Sequence, residues 1–264
     1  MNFDFWPFTP KPLPILYKIW LENDGKPLPF GYLRDLEKNR PKCCTVVHWT
    51  SAADTQALLA KYRDQFPLIY EYFWASNTGP SMRSDMLRYL LIYDRGGLYA
   101  DHDVEWSRKR LPTGYDLILW TEFANSDETV RKNMETTRAY RGDVPEYNVR
   151  IANYVFRSGS PRSPLLERCL NLVQERLRKN AHAHVSQYGV LYLTGPDMMT
   201  DNVVAGLPDP ATLKPFAKRE TENVEWTDRD GERVLLLGRQ PGRALALHQT
   251  HGAWRSAHEN KDKS

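Results

Sequence analysis

The sequence is poor in cysteine, in long apolar runs and in net charge, and each shortage removes a class of protein. Its three cysteines are Cys43, Cys44 and Cys169. Two are adjacent, an awkward geometry for a bridge, and an odd total leaves at least one thiol free, which argues against a disulfide-stapled scaffold. No C-x-x-C or Cys/His spacing supports a zinc site. No stretch approaches 18 apolar residues, so these residues hold no candidate for a membrane-spanning helix. The opening Asn2-Phe3-Asp4-Phe5-Trp6-Pro7 lacks the basic and apolar regions of a secretory signal. The protein is therefore expected to be cytoplasmic or soluble, with peripheral membrane association left open. A net charge of +3 is too small to argue for nucleic acid. No Lys/Arg run is interleaved with aromatics as a single-strand binder requires. Internal repeats are also absent.

What is present fits one large α/β domain. A chain of 264 residues with 41% apolar content can bury one sizeable core. Eight tryptophans suggest stacking surfaces beyond the needs of packing. Residues 1–13, with three prolines and no periodicity, read as an arm. The domain is expected over residues 14–255, with strands at Ile15–Trp20, Cys44–Trp49, Leu98–Ala100 and Leu117–Trp120. Helical patterns cover Phe30–Asn39, Thr50–Phe66, Ser84–Tyr93 and Leu165–Lys179. Ser81 or Ser84 is the expected N-cap of the third helix, and Gly96 its stop. Strands alternating with helices predict a mixed, mainly parallel sheet flanked by helices. Residues 126–149 are charged and aperiodic and read as an inserted loop or lid; residues 256–264 form a polar tail.

One stretch carries more information than the rest. An apolar run from Met86 to Tyr93 meets Gly96-Gly97, restarts as Leu98-Tyr99-Ala100 and delivers Asp101-His102-Asp103. In extended chain, residues i and i+2 share a side, roughly 6.6 Å apart. Two carboxylates so placed repel each other, and a divalent cation removes the repulsion. Solvated carboxylates at a strand end are the bland alternative for a bare D-x-D. In an α/β sheet, ligands bind at the carboxyl ends of strands, which is where these acids fall. Asp85 and Arg88, three apart on the preceding helix, share a face. A surface ion pair is the simple reading, but Met86, Leu87, Leu90 and Leu91 make this helix a core element.

The flanking residues resemble a known family. Ser84-Asp85-Met86-Leu87-Arg88-Tyr89, Tyr93, Gly96-Gly97-Leu98-Tyr99 and Asp101-His102-Asp103 resemble the DXD core of glycosyltransferase family 32. Pro14-Ile15-Leu16-Tyr17-Lys18-Ile19-Trp20 is similar to the family's opening strand, and Leu193-Thr194-Gly195-Pro196 to its T-G-P segment. His248-Gln249-Thr250-His251-Gly252-Ala253-Trp254 resembles its closing His…Gly-Ser-Trp element, with Gln249 in place of a second His and Ala253 in place of Ser.

The resemblance implies a GT-A-like nucleotide-sugar-binding domain and a role for each residue. Asp85 would bind donor-sugar hydroxyls, and Arg88 the sugar or diphosphate. Asp103 would be the direct metal ligand, and Asp101 would hold the ribose and a metal-bound water. Trp20 would either offer its face to the nucleobase, as the family uses a residue at this place, or pack in the core as strand-end tryptophans do. By strand alternation, Tyr99 is on the side of Asp101 and either packs or lines the nucleotide pocket, while His102 is either a third ligand or, because it faces away, a packing residue. His248 or His251 would complete the shell of the cation, Mn²⁺ or Mg²⁺, and Trp254 would approach the diphosphate through its indole N–H.

The function so implied is a metal-dependent, retaining transfer of a hexose from GDP-mannose or a UDP-hexose to a hydroxyl on a glycan or lipid. Two rivals belong to other classes. A catalytically inactive nucleotide-sugar-binding module would be expected to lose Arg88 or one DXD acid, and all three are present. A metal-dependent phosphoesterase would need a second metal cluster, such as H-x-H or D-x-x-H; the sequence has no D-x-x-H and a single H-x-H, His182-Ala183-His184, far from the D-x-D in the chain.

Overall fold

The computed structural model describes residues 13–21, 44–106, 111–124, 149–180, 187–209, 222–238 and 246–248. The expected helix over Phe30–Asn39, the polar tail, and all of the arm and lid except Leu13 and Val149 lie outside the described residues. In chain order the elements are β1 (Ile15–Ile19), β2 (Thr45–Trp49), α1 (Ala52–Lys61), α2 (Pro67–Trp74) and α3 (Pro80–Arg95). There follow β3 (Gly97–Ala100), β4 (Val104–Trp106), β5 (Leu117–Ala124), β6 (Val149–Ser158) and α4 (Pro164–Lys179). The last are α5 (Gln187–Leu193), α6 (Pro196–Gly206), β7 (Val224–Thr227), β8 (Arg233–Leu237) and β9 (Ala246–His248).

Seven of these strands form one sheet in the order β2-β1-β3-β6-β5-β8-β7, and β4 pairs with β9 in a separate ribbon. The sheet is mixed as expected, but without a parallel majority. β1 runs parallel to β2 and β3, and β5 parallel to β8. β6 lies antiparallel between β3 and β5, and β7 antiparallel to β8. The alternation of strands and helices did not foretell this insertion. Both faces of the central strands are buried: Leu117 and Leu119 join the large core, Ile118 and Trp120 a second cluster. Near-continuous apolar runs such as Leu117–Trp120 are what two-sided burial requires.

Two helix boundaries differ from the sequence reading. The pattern from Thr50 to Phe66 divides: α1 ends at Lys61, and α2 starts at Pro67. Proline disfavours helical backbone in the residue before it, and Phe66 accordingly has φ −128° and ψ 61°. α3 starts at Pro80 after an N-cap Gly79, two residues before Ser81 and five before Ser84. Proline suits the first helical position because its missing N–H would be unpaired there anyway. Ser84 is thereby placed inside the helix, free for another use.

The stop at Gly96 agrees with expectation. Its φ of 65° and ψ of −165° lie in a region open essentially to glycine alone. A Cβ there would also fall 2.8 Å from the Ser160 carbonyl carbon. Because Gly96 aims β3 into the sheet, Gly96→Ala should destabilise the fold by about 1–3 kcal/mol from the backbone term alone. Thermal melting is the check: a fall of roughly 3–10 °C is expected, and an unchanged midpoint would contradict the strained geometry.

Candidate functional site

β1 and β3 run side by side, with Leu16 opposite Leu98 and Tyr17 opposite Tyr99, so their carboxyl ends open together. β3 stops at Ala100, its last residue paired with β6. The Asp101 N–H still bonds the Tyr154 carbonyl at 2.8 Å, and the Val104 N–H then returns to the Asp101 carbonyl at 3.2 Å. That i to i+3 bond closes a turn. Asp101 and Asp103 therefore do not project from an extended strand, as their spacing suggested. They occupy a turn between β3 and β4, and both are half-buried.

Behind the turn lies a buried charge cluster. Arg88 donates from Nη1 to the Asn153 carbonyl at 3.0 Å and from Nη2 to the Ser84 hydroxyl at 3.1 Å. The same Nη2 lies 3.2 Å from Asp85 Oδ1 and 3.4 Å from Asp101 Oδ1. The guanidinium also covers the Tyr99 ring, 4.8 Å from its centroid. Tyr99 in turn donates its hydroxyl to Asp101 Oδ1. Asp85 accepts from Asn153 Nδ2 and from Thr194 Oγ1, both at 2.9 Å. Asp85 and Arg88 are thus no surface pair: they are 6% and 5% exposed.

The electrostatics follow from that burial. Desolvation pushes the Asp85 carboxyl up to about 6, against the opposing pull of Arg88 and its two hydrogen bonds. Burial alone would lower Arg88, but Asp101, Tyr99 and Asp85 outweigh it and hold the guanidinium firmly charged. On the far side of the turn, Lys18 Nζ donates to the Asp101 carbonyl at 2.8 Å. Burial lowers this lysine to about 8, while the charges of Asp101 and Asp103 resist the shift.

The remaining expected residues fall at different depths. Trp20 is half-buried at the end of β1, edge-on to the His102 ring at 5.7 Å. His102 packs between Trp20 and His48, whose ring lies 6.0 Å away, in keeping with a packing role. Burial, Lys18 and His48 drive its imidazole down to about 3, so it stays neutral at any working pH. Tyr99 is 1% exposed, so it reaches the site through its hydroxyl on Asp101 and offers no open face to a nucleotide. The β4–β9 ribbon sets the backbone of His248 opposite Val104, one residue past Asp103. His251 and Trp254 lie outside the described residues.

Asn153, Thr194, Ser84 and Lys18 carry no site role in the sequence reading. Asn153 and Thr194 reach Asp85 across 68 and 109 residues of chain. Thr194, Ser84 and Lys18 each fall in a segment that carries the resemblance, the T-G-P segment, the DXD core and the opening strand, whereas Asn153 left no signal.

Residues 30–140 match the family model described as a glycosyltransferase sugar-binding region containing a DXD motif. That stretch of the chain is similar to the family's sugar-binding region. The match includes Asp85, Arg88, Asp101 and Asp103. Among solved structures, a PaToxG glycosyltransferase is 17% identical, with a TM-score of 0.49 over 74% of this chain and 71% of that one. The ligand-free glycosyltransferase domain of the YGT toxin is 10% identical, with a TM-score of 0.43 over 73% and 77%. No curated protein matches the chain.

The shift of Asp85 has a measurable consequence for stability. Its folded value lies above the ordinary 3.8, so the native state holds the proton more tightly than the unfolded chain. Stability from this group is complete below pH 3.8 and is lost as pH rises to about 6. In Asp85→Asn, the amide can donate to the Thr194 hydroxyl and the loss should vanish. Melting curves between pH 4 and 7 should diverge in favour of the variant as pH rises; parallel curves would return Asp85 to its ordinary value.

Proposed function

We propose that this domain transfers a hexose from a nucleotide diphosphate sugar, GDP-mannose or a UDP-hexose, to a hydroxyl on a glycan or lipid. In this reading the transfer retains anomeric configuration and depends on Mn²⁺ or Mg²⁺. The observation that carries it is the convergence of Asp85, Arg88 and Asp101 on one point at the carboxyl ends of β1 and β3. A buried ion cluster adds little net stability compared with an apolar core, because desolvation offsets attraction. Such a cluster beside half-exposed acids points to a ligand.

The donor chemistry of the turn fits a hard cation. Asp101 and Asp103 are oxygen ligands, and the Arg88 and Tyr99 contacts on Asp101 both fall on Oδ1. No group of three ligating side chains is assembled among the described residues. A hard cation that accompanies a diphosphate is commonly held by one or two carboxylates, with phosphate and water oxygens completing the shell. Asp103, Asp101 and His248 or His251 would hold it, and when bound it would supply positive charge to the leaving diphosphate.

The chain's own residues do the rest. Asp85, held ionised above about pH 6, accepts hydrogen bonds from sugar hydroxyls. Asn153 and Thr194 fix its two oxygens, so its orientation is set before the donor arrives. Arg88 presents a planar fork to the sugar or diphosphate, where preorganised charge contributes most to transfer. Trp20 takes the nucleobase and Asp101 the ribose, while Trp254 approaches the diphosphate. Among the described residues no helix is long and apolar enough to cross a membrane.

A thermal-shift panel of UDP, GDP and their sugars, with and without Mn²⁺, tests the reading, since ligands of the native state raise apparent stability. Binding is expected with Mn²⁺ and should disappear in excess EDTA; affinity unchanged by EDTA would remove the cation from the scheme. Asp103→Ala should reduce transfer on the order of 10²–10³-fold while melting stays level or rises slightly. Lost stability with surviving turnover would instead make the acids structural. Arg88→Lys conserves charge but not the fork and should also remove most activity. Near-normal turnover in that variant would reduce Arg88 to a partner of Asp85.

A further inference from the structure

Lys18 has no task in the scheme above. It lies on β1 among Leu16, Tyr17 and Ile19, and it is as buried as they are, at 2% exposed. The register sets it opposite His48 on one side. On the other it stands one residue beyond the Tyr17–Tyr99 pair, next to the DXD turn. Its ammonium donates to the Asp101 main-chain carbonyl at 2.8 Å. A neutral carbonyl does not offset the burial of a full charge. The opposite charges acting on Lys18 are those of Asp101 and Asp103.

The formal charges of the site are then informative. Asp85, Asp101 and Asp103 contribute three negative charges, and Arg88 and Lys18 two positive ones, leaving one negative. Without Lys18 the site would carry two. A bare divalent cation gains from the more negative site. A cation bound to a nucleoside diphosphate is itself net negative and gains from the less negative one.

We propose that Lys18 is a positioning residue that makes the DXD turn selective for a cation–diphosphate pair over the bare cation. Its ammonium holds the Asp101 carbonyl from beneath the turn and limits the site's negative charge. The inference rests on the nucleotide-sugar reading of the same site.

Lys18→Met removes donor and charge, Lys18→Gln keeps a donor without the charge, and Lys18→Arg keeps both. Free Mn²⁺ measured by electron paramagnetic resonance gives affinity for the bare ion. Calorimetry with UDP or GDP at saturating Mn²⁺ gives affinity for the pair. Lys18→Met and Lys18→Gln should bind Mn²⁺ alone about five- to tenfold more tightly and the nucleotide more weakly by a similar factor, with Lys18→Arg close to wild type. Both affinities within about twofold of wild type in Lys18→Gln would overturn the proposal, because the charge would then be idle. Should Lys18→Met fail to fold, Lys18→Gln and Lys18→Arg decide the matter. Wild-type protein that binds neither nucleotide with Mn²⁺ would refute the nucleotide-sugar reading itself, and this inference with it.

Discussion

Arg88 lies inside the fold, and the groups that satisfy its charge come from separate parts of the chain. Ser84 and Asp85 belong to its own helix, Asn153 to β6, Tyr99 to β3 and Asp101 to the turn beyond it. A guanidinium in such a place is tolerable only while paired and hydrogen-bonded, because an uncompensated buried charge costs several kcal/mol, on the order of 3–5. The docking of β6 against β3 and the path of the DXD turn are therefore linked to one side chain. A change in any of these partners disturbs the helix, the sheet and the site together.

The sheet order makes that arrangement accessible. β6 enters antiparallel between β3 and β5, so Asn153 lies where β6 passes the end of β3. From there its carbonyl meets Arg88 and its amide meets Asp85. Thr194 reaches the same carboxylate from the connection between α5 and α6. Its main-chain carbonyl also accepts from the Tyr89 hydroxyl at 2.9 Å. The core helix α3 thus grips Thr194 twice, once through Tyr89 and once through Asp85. Packing and polar contacts fix the same segment.

Local patterns revealed the elements better than their arrangement. β1, β2 and α4 announce themselves through apolar runs and periodicity, and Gly96 through the need for a left-handed stop. Pro67 and Pro80 moved helix ends because proline acts on its neighbour and on the first turn, a local effect that apolar periodicity overrode in the sequence reading. The DXD acids were legible as residues but not in conformation. The i, i+2 argument presumes extended chain, whereas the last bond to β6 is made by the Asp101 N–H and the backbone then turns back through the Val104 N–H. The roles of Asn153 and Lys18 were illegible for a different reason. Each is an ordinary residue in its own strand, and its importance comes from a partner 68 or 83 positions away.

The site divides into two halves with different physical characters. Asp85, Arg88, Asn153 and Thr194 are each at most 6% exposed, and their hydrogen bonds tie them to α3, β6 and the α5–α6 connection. Such groups keep their geometry and recognise shape, since moving any one leaves another unsatisfied. Asp101 and Asp103 lie on a turn, half-buried, with the Asp101 side chain 29% exposed. Groups there can exchange water for other oxygen ligands at little cost. Arg88 joins the halves, because one nitrogen lies within 3.4 Å of both Asp85 and Asp101. A charge change on the turn is therefore felt by the buried half without any intervening movement. The rigid half can orient a ligand while the turn accommodates the charge that accompanies it.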